Sequence, residues 1–320
     1  MIYSNLHFRA EILKKIRTFF DERGILEVET PLLSKSTITD PNLHSIEAFY
    51  TEPGSKTNTK LYLQTSPEFA MKRLLAAGSG SIYQICKAFR NEECGKFHNP
   101  EFTMLEWYHV GFNHHDLMDE MDSFLNWTIN ADKAERLSYL NVFQKFLNIN
   151  PHTASLDNLK NCAVKNNLEL SSSLEKEQDR DVWLNLLLTN LIEPYLGNNN
   201  QPTFIYDYPA TQAALAQIRN DDIKIAERFE VYINGIEIAN GFHELKNANE
   251  QRLRFEKDLE TRKKLGLPTV PIDENLLTAL EYGLPDCAGV ALGIDRLLMI
   301  ALNANSINEV ITGHDLLSKS

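Results

Sequence analysis

Five residues of this sequence have the types needed to handle phosphate groups and a divalent cation. They are Arg90, His98, Glu230, Glu237 and Arg296. Guanidinium groups bind phosphate oxygens through paired hydrogen bonds, and carboxylate oxygens are the ligands that Mg²⁺ prefers. Each residue taken alone also fits a solvated ion pair or a packing role. Together they are what a site needs to hold a triphosphate with magnesium and stabilise charge on a phosphoryl group.

The common nucleotide-binding motifs do not account for these residues. The segment GSGS at 78–81 is not a G-x-G-x-x-G motif, and GSKT at 54–57 lacks the upstream glycine of a P-loop. We interpret both as ordinary turns. The chemistry is therefore expected in three segments, 85–108, 228–242 and 288–299.

The second segment predicts a β-hairpin that carries both glutamates. Its centre is Asn234-Gly235, the dipeptide that best fits a two-residue type I′ turn. Counting outward from the turn places Glu230 opposite Ala239 and puts Glu237 diagonally on the same face as Glu230. The hairpin therefore predicts a pair of carboxylates able to share one cation.

Hydrophobic periodicity predicts the elements that position these residues. We expect helices at 4–24, 67–78, 247–265 and 273–282, a further helix from about 295, and strands at 25–30, 61–65, 82–90, 102–108, 203–208 and 289–294. The segment 34–60 is predicted as loop with at most one short strand near 45–50, and 113–200 as helical. Because most strands are joined as hairpins or by long insertions, we predict an antiparallel α+β fold.

Composition excludes several classes of protein. The sequence has 32 Lys and Arg against 44 Asp and Glu, a formal charge of −12, which argues against affinity built on nucleic-acid phosphates. The four cysteines form no C-x-x-C pair, so neither a zinc knuckle nor a disulfide framework is predicted. No segment has the form of a signal peptide or a membrane span, so we expect a cytoplasmic protein without membrane partners.

Three ordered segments carry a family resemblance. FFDERGILEVETPLL resembles motif 1 of the class II aminoacyl-tRNA synthetases, FRNEECGKFHNPEFTMLEWY resembles motif 2, and GVALGIDR resembles motif 3. TSPE, HNPEFTMLE and EIANGFHEL point to the lysyl-tRNA synthetase subgroup. The resemblance implies a class II catalytic domain, an antiparallel sheet flanked by helices, with motif 1 at a homodimer interface.

The sequence also departs from the lysyl-tRNA synthetases. The motif 1 helix begins almost at Met1, so we expect a single catalytic domain over 1–320, with a helical insertion at about 113–200 and no anticodon-binding domain. Ser66 replaces the family's alanine, Ala291 replaces a glycine of motif 3, and 208–217 lacks the usual acidic sequence. These features resemble free-standing paralogues that attach (R)-β-lysine to a lysine of elongation factor P.

The resemblance implies roles in ATP binding for the motif residues. Arg90 would contact the α-phosphate of ATP and the substrate carboxylate, and Phe102 would stack on adenine. His98 with Arg296 would bind the β- and γ-phosphates of ATP. The remaining ATP-binding candidates are Asn91, Glu92, Asn99, Glu237, Ile238 and the backbone of Gly293. Arg90 and Arg296 are the predicted catalytic residues, and Glu230 with Glu237 would bind Mg²⁺.

The resemblance likewise implies a substrate site for a dicationic amino acid. Glu68, Glu106 and Glu244 are the candidates for binding its two ammonium groups, since such charges must be paired with carboxylates in a closed site. The other predicted substrate-binding residues are Ser66, Pro67, Tyr108, Asn240, Phe242 and Ala291. A packing role for Tyr108 and a buried ion pair for Glu106 remain open.

The expected function is ATP-dependent activation of (R)-β-lysine, followed by its transfer to elongation factor P rather than to tRNA. The first alternative is a truncated lysine-activating enzyme that acts on tRNA or a small amine. The second is a non-catalytic, regulatory synthetase paralogue, although both motif arginines are present in this sequence.

Overall fold

The computed structural model describes residues 2–311. Its first stretch contains α1 (Ile2–Asp21), β1 (Leu26–Glu27), β2 (Leu33–Ser34), β3 (Glu47–Thr51), β4 (Asn58–Leu63), α2 (Glu68–Ala76), β5 (Ile82–Phe89) and β6 (Glu101–Val110). All predicted helices and strands of this stretch are present. The strand predicted at 25–30 is shorter than expected, because β1 contains only Leu26 and Glu27.

The middle stretch contains α3 (His114–Ile129), β7 (Glu135–Ser138), α4 (Tyr139–Leu147), α5 (Leu156–Lys165), α6 (Ser172–Glu175), α7 (Arg180–Leu187), β8 (Thr203–Pro209), β9 (Ile218–Asn220), β10 (Lys224–Ile233) and β11 (Ile236–His243). The last stretch contains α8 (Ala248–Lys264), α9 (Glu274–Gly283), β12 (Cys287–Gly293) and α10 (Ile294–Ala301). Among residues 2–311, no helix has both the length and the apolar content needed to cross a bilayer.

The chain divides into two compact units. The terminal unit comprises the described residues up to Phe112 together with those from Leu245 onward, and the central unit is Asn113–Glu244. The prediction of one catalytic domain with a helical insertion stays a prediction. The central unit contains the helices expected in that insertion and also strands β8 to β11.

In the terminal unit, strands β1, β5, β6 and β12 lie side by side in that order, and β2, β4 and β3 form a separate small sheet. The β5–β6 and β6–β12 pairs are antiparallel, whereas β1 pairs with β5 in parallel. Helix α1 buries Ile12, Ile16 and Phe20, as its four-residue spacing predicts. The Phe20 ring stacks on Tyr83 of β5 at a centroid distance of 4.4 Å.

A buried carboxylate connects three elements of the terminal unit. Asp295, in the first turn of α10, is 2% exposed. Its Oδ1 accepts a hydrogen bond from Arg9 Nη1 of α1 at 2.6 Å, and its Oδ2 accepts from the backbone N–H of Thr103 in β6 at 2.6 Å. These bonds fix the start of α10, and therefore the position of Arg296, against α1 and β6.

In the central unit the strand order is β11, β10, β8, β7, with β9 also pairing with β10. The β10–β11 and β10–β8 pairs are antiparallel, and β7–β8 is parallel. Tyr139, Phe143, Trp183 and Leu187 of the helices pack in one core with Tyr208 of β8. Helices beside mostly antiparallel strands confirm the predicted α+β class.

Two expectations about secondary structure need correction. The short strand allowed near 45–50 is present as β3, but the loop predicted for the rest of 34–60 also contains the start of β4, which pairs antiparallel with β3. The first residues of β4, Asn58 to Lys60, are polar, so they lack the apolar alternation that identifies a strand. The stretch 113–200, predicted as helical, also contains β7, a four-residue strand without fully buried residues.

The predicted hairpin register needs one correction. Asn234 and Gly235 both have positive φ, 52° and 73°, as a type I′ turn requires. A bulge between Val231 and Tyr232 shifts the pairing, so Glu230 lies opposite Asn240 rather than the predicted Ala239. The pairing skips Ile238, which is therefore the extra residue of β11.

Candidate active site

Arg90 lies at the start of the loop that joins β5 to β6. Its backbone N–H donates to the Pro100 carbonyl at 2.9 Å and so closes the loop. The Nη1 atom lies 3.4 Å from Glu93 Oε1, and the guanidinium carbon is 5.1 Å from the Phe102 ring centroid. Within residues 2–311 the buried Nε atom has no hydrogen-bond partner. Because an unmet buried donor is costly, this atom is suited to an anionic ligand.

Arg296 and His98, predicted to bind the same end of the nucleotide, are in direct contact. Arg296 Nη2 donates to His98 Nε2 at 2.7 Å, and its Nε donates to the Phe97 carbonyl at 3.2 Å. His98 belongs to the loop of Arg90, where its backbone pairs with Gly95. The structure therefore attaches the first turn of α10 to the loop between β5 and β6.

The surroundings of His98 favour its neutral form. Burial lowers the pKa of its imidazole, the positive charges of Arg296 and Arg90 lower it further, and Glu93 opposes them. A neutral imidazole has one nitrogen without a proton, and the bond from Arg296 requires that nitrogen to be Nε2. His98 is therefore an acceptor at neutral pH.

We expect the pKa of His98 to respond in opposite directions to two neighbouring substitutions. Arg296→Gln should raise it, because a positive neighbour is lost, and Glu93→Gln should lower it further. The measurement is an NMR titration of the His98 ring, with the exposed His7 as internal control. Equal values in all three proteins would contradict the electrostatic assignment.

The same shift predicts how stability depends on pH. The folded-state pKa of His98 lies below the ordinary value of 6.5, so the unfolded chain binds more protons in the window just below 6.5. The contribution of His98 is therefore fully present above that window and is lost as pH falls through it.

The remaining residues of this loop differ in exposure. Asn99 is buried, and its Nδ2 donates to the Glu101 carbonyl at 2.6 Å. Asn91 and Glu92 are exposed, and Glu92 adopts a left-handed conformation with φ of 66°. The backbone N–H of Asn91 donates to the His44 carbonyl at 2.7 Å. Asn91 and Glu92 thus lie at an accessible turn.

Gly293, the last residue of β12, precedes α10. Its φ of −76° is accessible to any residue, and a Cβ atom placed there would meet only the Arg296 side chain, at 3.8 Å or more. Neither conformation nor packing within the described chain therefore requires glycine here. Open space at Gly293 and an unmet donor at Arg90 Nε fit a nucleotide with its phosphates.

Glu106 and Tyr108 share one face of β6, as the alternation predicts. Glu106 is 2% exposed, and its Oε1 accepts a hydrogen bond from the Tyr108 hydroxyl at 2.5 Å. Ala291 of β12 lies directly opposite Glu106, and Gln84 of β5 lies opposite it on the other side. Opposite residues share a face of the sheet, so Ala291 and Glu106 are neighbours.

Glu68, a candidate for binding a substrate ammonium group, has an ammonium partner in its own helix. Lys72 Nζ donates to Glu68 Oε1 at 2.6 Å, and Lys72 is 1% exposed. The Ser66 hydroxyl accepts a bond from the Glu68 backbone N–H at 3.2 Å, and Pro67 between them is buried. Lys72 was not among the predicted site residues, although its i,i+4 spacing from Glu68 is a recognisable signal.

In the central unit, Glu230 is buried among donors. Its Oε1 accepts from Arg228 Nη2, and its Oε2 accepts from the hydroxyls of Tyr208, at 2.6 Å, and Tyr232. Arg228 Nε also donates to Asn240 Oδ1 at 3.2 Å. Arg228 was not among the predicted site residues, although residues two apart on a strand, such as Arg228 and Glu230, share a face.

Glu230 and Glu237 offer the carboxylate oxygens that magnesium prefers, but most acceptor positions of Glu230 are already occupied. A carboxylate has about four acceptor positions, and Glu230 accepts bonds from Arg228 and two tyrosines. Glu237 lies opposite Tyr232 and is only half-buried. A cation bound by Glu230 would use its remaining acceptor position or displace Arg228.

The other predicted residues of β11 have different surroundings. Ile238 is the extra residue at the bulge and is buried. Phe242 is half-buried and lies opposite Arg228. Glu244 is 1% exposed, and its backbone pairs with Ala216. A carboxylate so fully buried needs compensating charge or donors, which is consistent with a place in a binding site.

Comparison with known proteins agrees with these motifs. The sequence pattern of the class II tRNA synthetases (D, K and N) matches residues 1–312. A relative from Klebsiella pneumoniae (strain 342), named elongation factor P–(R)-beta-lysine ligase, is 54% identical over 307 residues, which cover 96% of this chain and 94% of the relative. Relatives of the same name from Salmonella dublin and Salmonella agona are 53% identical, again over 96% of this chain and 94% of each relative. This chain therefore belongs to the class II tRNA synthetase family.

Proposed function

We propose that this chain activates (R)-β-lysine with ATP and transfers it to the ε-amine of a lysine on elongation factor P. The observation that carries the proposal is the arginine arrangement of motifs 2 and 3. Arg90 has a buried, unmet guanidinium donor, and Arg296 is held to His98 at 2.7 Å. The name of the relatives at 53–54% identity, elongation factor P–(R)-beta-lysine ligase, supports the two proposed substrates.

In the activation step the β-lysine carboxylate attacks the α-phosphorus of ATP and pyrophosphate leaves. The guanidinium of Arg90 orients the carboxylate and the α-phosphate and stabilises the charge that develops there. Arg296, which is hydrogen-bonded to neutral His98, binds the β- and γ-phosphates of ATP. Magnesium, when bound by Glu230 and Glu237, would neutralise phosphate charge.

The buried carboxylates are proposed to recognise the two ammonium groups of β-lysine. Glu106 and Glu244 are 2% and 1% exposed, so a cation that reaches them is paired out of water. Tyr108 is a positioning residue, because its hydroxyl donates to Glu106. Glu68 already pairs with Lys72 of the same helix, so its proposed role includes stabilising the start of α2.

In the transfer step the lysine ε-amine attacks the carbonyl carbon of the adenylate, forms an amide and releases AMP. We favour a protein acceptor over tRNA because the chain carries a formal charge of −12, which gives no general affinity for a polyanion.

The test is ATP–pyrophosphate exchange with (R)-β-lysine and, in parallel, α-lysine, followed by transfer of labelled β-lysine. Elongation factor P, the same protein with its acceptor lysine changed to arginine, and total tRNA serve as acceptors. We expect exchange with β-lysine. We also expect nuclease-resistant label only on the elongation factor P that keeps its acceptor lysine. Label on tRNA would favour a lysine-activating enzyme, and no exchange with either isomer would favour a regulatory paralogue.

Ser66 and Ala291 are expected to contribute to the choice between β- and α-lysine. Ala291 lies beside Glu106, and Ser66 bonds the backbone of Glu68, so both adjoin proposed substrate carboxylates. Ser66→Ala with Ala291→Gly should change the ratio of activation of the two isomers by about 1–3 kcal/mol, roughly tenfold to two-hundredfold. Ala288→Gly, on the opposite face of β12, is the matched control. An unchanged ratio would place selectivity elsewhere.

A homodimer through motif 1, residues 19–33, is part of the proposal. Leu26 and Leu33 of this segment are 56% and 46% exposed. Burial of both leucines against a second copy would remove this exposed apolar area from water. Sedimentation should show a dimer for the native chain and a monomer for Leu26→Glu with Leu33→Glu, whereas Leu253→Glu on α8 should have no effect. A dimer of unchanged stability in the double variant would contradict this interface.

A further inference from the structure

Three side chains of the central unit form a cluster that the proposed reaction does not use. His114 is the first residue of α3, Glu227 lies on β10 and His243 ends β11. One ligand atom from each lies within 4.8 Å of the other two. We call these three residues the histidine cluster.

His114 is the unusual member of the cluster. The residue is 2% exposed, and in the part of the chain that the structure describes neither ring nitrogen makes a hydrogen bond. Its Nε2 lies 3.4 Å from Asp207 Oδ1, an ion-pair contact that contributes to the lowered pKa of Asp207. Buried imidazoles normally have a partner, because an unmet polar atom costs free energy. Because Asp207 lies beside Nε2, Nδ1 is the buried ring nitrogen without a partner in the described chain, and it points to a missing ligand.

The other two members, Glu227 and His243, are in direct contact, and His243 has a further hydrogen-bond partner on its second ring nitrogen. His243 Nδ1 donates to Glu227 Oε2 at 2.5 Å, and Gln217 Nε2 lies 3.2 Å from His243 Nε2. If a metal bound Nδ1, the ring proton would move to Nε2, and the Gln217 amide could turn to accept it. Metal-binding histidines commonly have such a support on the second nitrogen.

The charges around the cluster suit a divalent cation. Asp207, Asp221 and Glu227 are acidic, and Arg219 is the cation among them. Arg219 is bound to Asp207 and Asp221, and its Nη1 is 3.9 Å from Glu227 Oε1. Apart from the histidines, three carboxylates and one guanidinium give two negative charges near the cluster.

The geometry points to a zinc-type transition-metal site formed by His114, Glu227 and His243. Two imidazole nitrogens and one carboxylate oxygen are a common zinc ligand set, which leaves a fourth position for water or for Asp207. Magnesium and calcium prefer oxygen ligands, so they are poor competitors. This site is separate in residues and chemistry from the proposed magnesium ligands Glu230 and Glu237, and it does not depend on the proposed function.

The test is zinc binding by the intact chain. Protein stripped with a chelator is titrated with Zn²⁺ in excess Mg²⁺, and bound metal is measured by elemental analysis and calorimetry. Co²⁺ in place of zinc reports ligand geometry through its visible spectrum. We expect about one zinc per chain, as a mononuclear site requires, and a rise in the unfolding temperature with zinc.

The variants distinguish the cluster from other histidines. Glu227→Gln keeps the shape of the side chain and should abolish stoichiometric binding, as should His114→Asn, while His7→Asn on exposed α1 should bind like the native chain. Gln217→Ala should weaken binding about 10–100-fold. Failure of the native chain to bind zinc in excess magnesium, or native affinity in a folded Glu227→Gln variant, would overturn the proposal.

Discussion

Arg90→Ala is expected to lower ATP–pyrophosphate exchange by about a hundredfold or more, equivalent to a loss of roughly 3 kcal/mol or more of transition-state stabilisation. The guanidinium has a buried Nε without a partner among the described residues, while its Nη1 is 3.4 Å from Glu93. A donor held ready in this way requires little rearrangement when charge develops on the α-phosphate. Arg90→Lys keeps the charge but not the paired donors, so it should also be strongly impaired.

The control for Arg90 is an arginine of the terminal unit outside the motifs. Arg252 on α8 pairs with Glu274 on the surface, and Arg252→Ala should leave exchange unchanged. Circular dichroism and thermal unfolding verify that the Arg90 variants fold. Near-native exchange by folded Arg90→Ala would remove the residue from the catalytic assignment.

Arg228→Met should reduce the free energy of unfolding by about 3–5 kcal/mol, because it leaves the buried Glu230 carboxylate without its cation. The Arg228 and Glu230 side chains are 16% and 9% exposed, and Arg228 also stacks on Tyr208 at 4.6 Å. Urea unfolding of the native and variant chains measures the difference. Arg228→Met with Glu230→Gln should recover part of the loss, since the uncompensated charge is then removed.

An exposed pair of the same unit provides the comparison. Lys145 and Glu135 are 50% and 41% exposed, so Lys145→Met should cost only about 0–1 kcal/mol. If Arg228→Met and Lys145→Met had equal effects, burial of the Arg228–Glu230 pair would not matter to stability.

Local sequence patterns predicted the positions of most motif residues. Alternation in β6 placed Glu106 and Tyr108 on one face, where the structure has them joined by a hydrogen bond. The Asn234-Gly235 turn was also predicted correctly, because its positive φ angles depend on these two residues alone. Such features need no knowledge of distant parts of the chain.

The register beyond that turn could not be predicted in the same way. The bulge at Ile238 depends on how β10 and β11 pair with their neighbours, so the sequence alone placed Glu230 opposite the wrong residue. The histidine cluster was missed for a related reason. Its members come from α3, β10 and β11, and His114 and His243 are separated by the whole central unit.

The bonds of Asp295 have a consequence for local unfolding. Arg9 and Thr103 hold this carboxylate from α1 and β6, so the first turn of α10 cannot open without breaking both bonds. Slow hydrogen exchange should therefore be shared by the middle of α1 and the start of α10, as in one cooperative unit. Arg296 follows Asp295 directly, and the rigidity of its backbone is thus set by a helix at the other end of the chain.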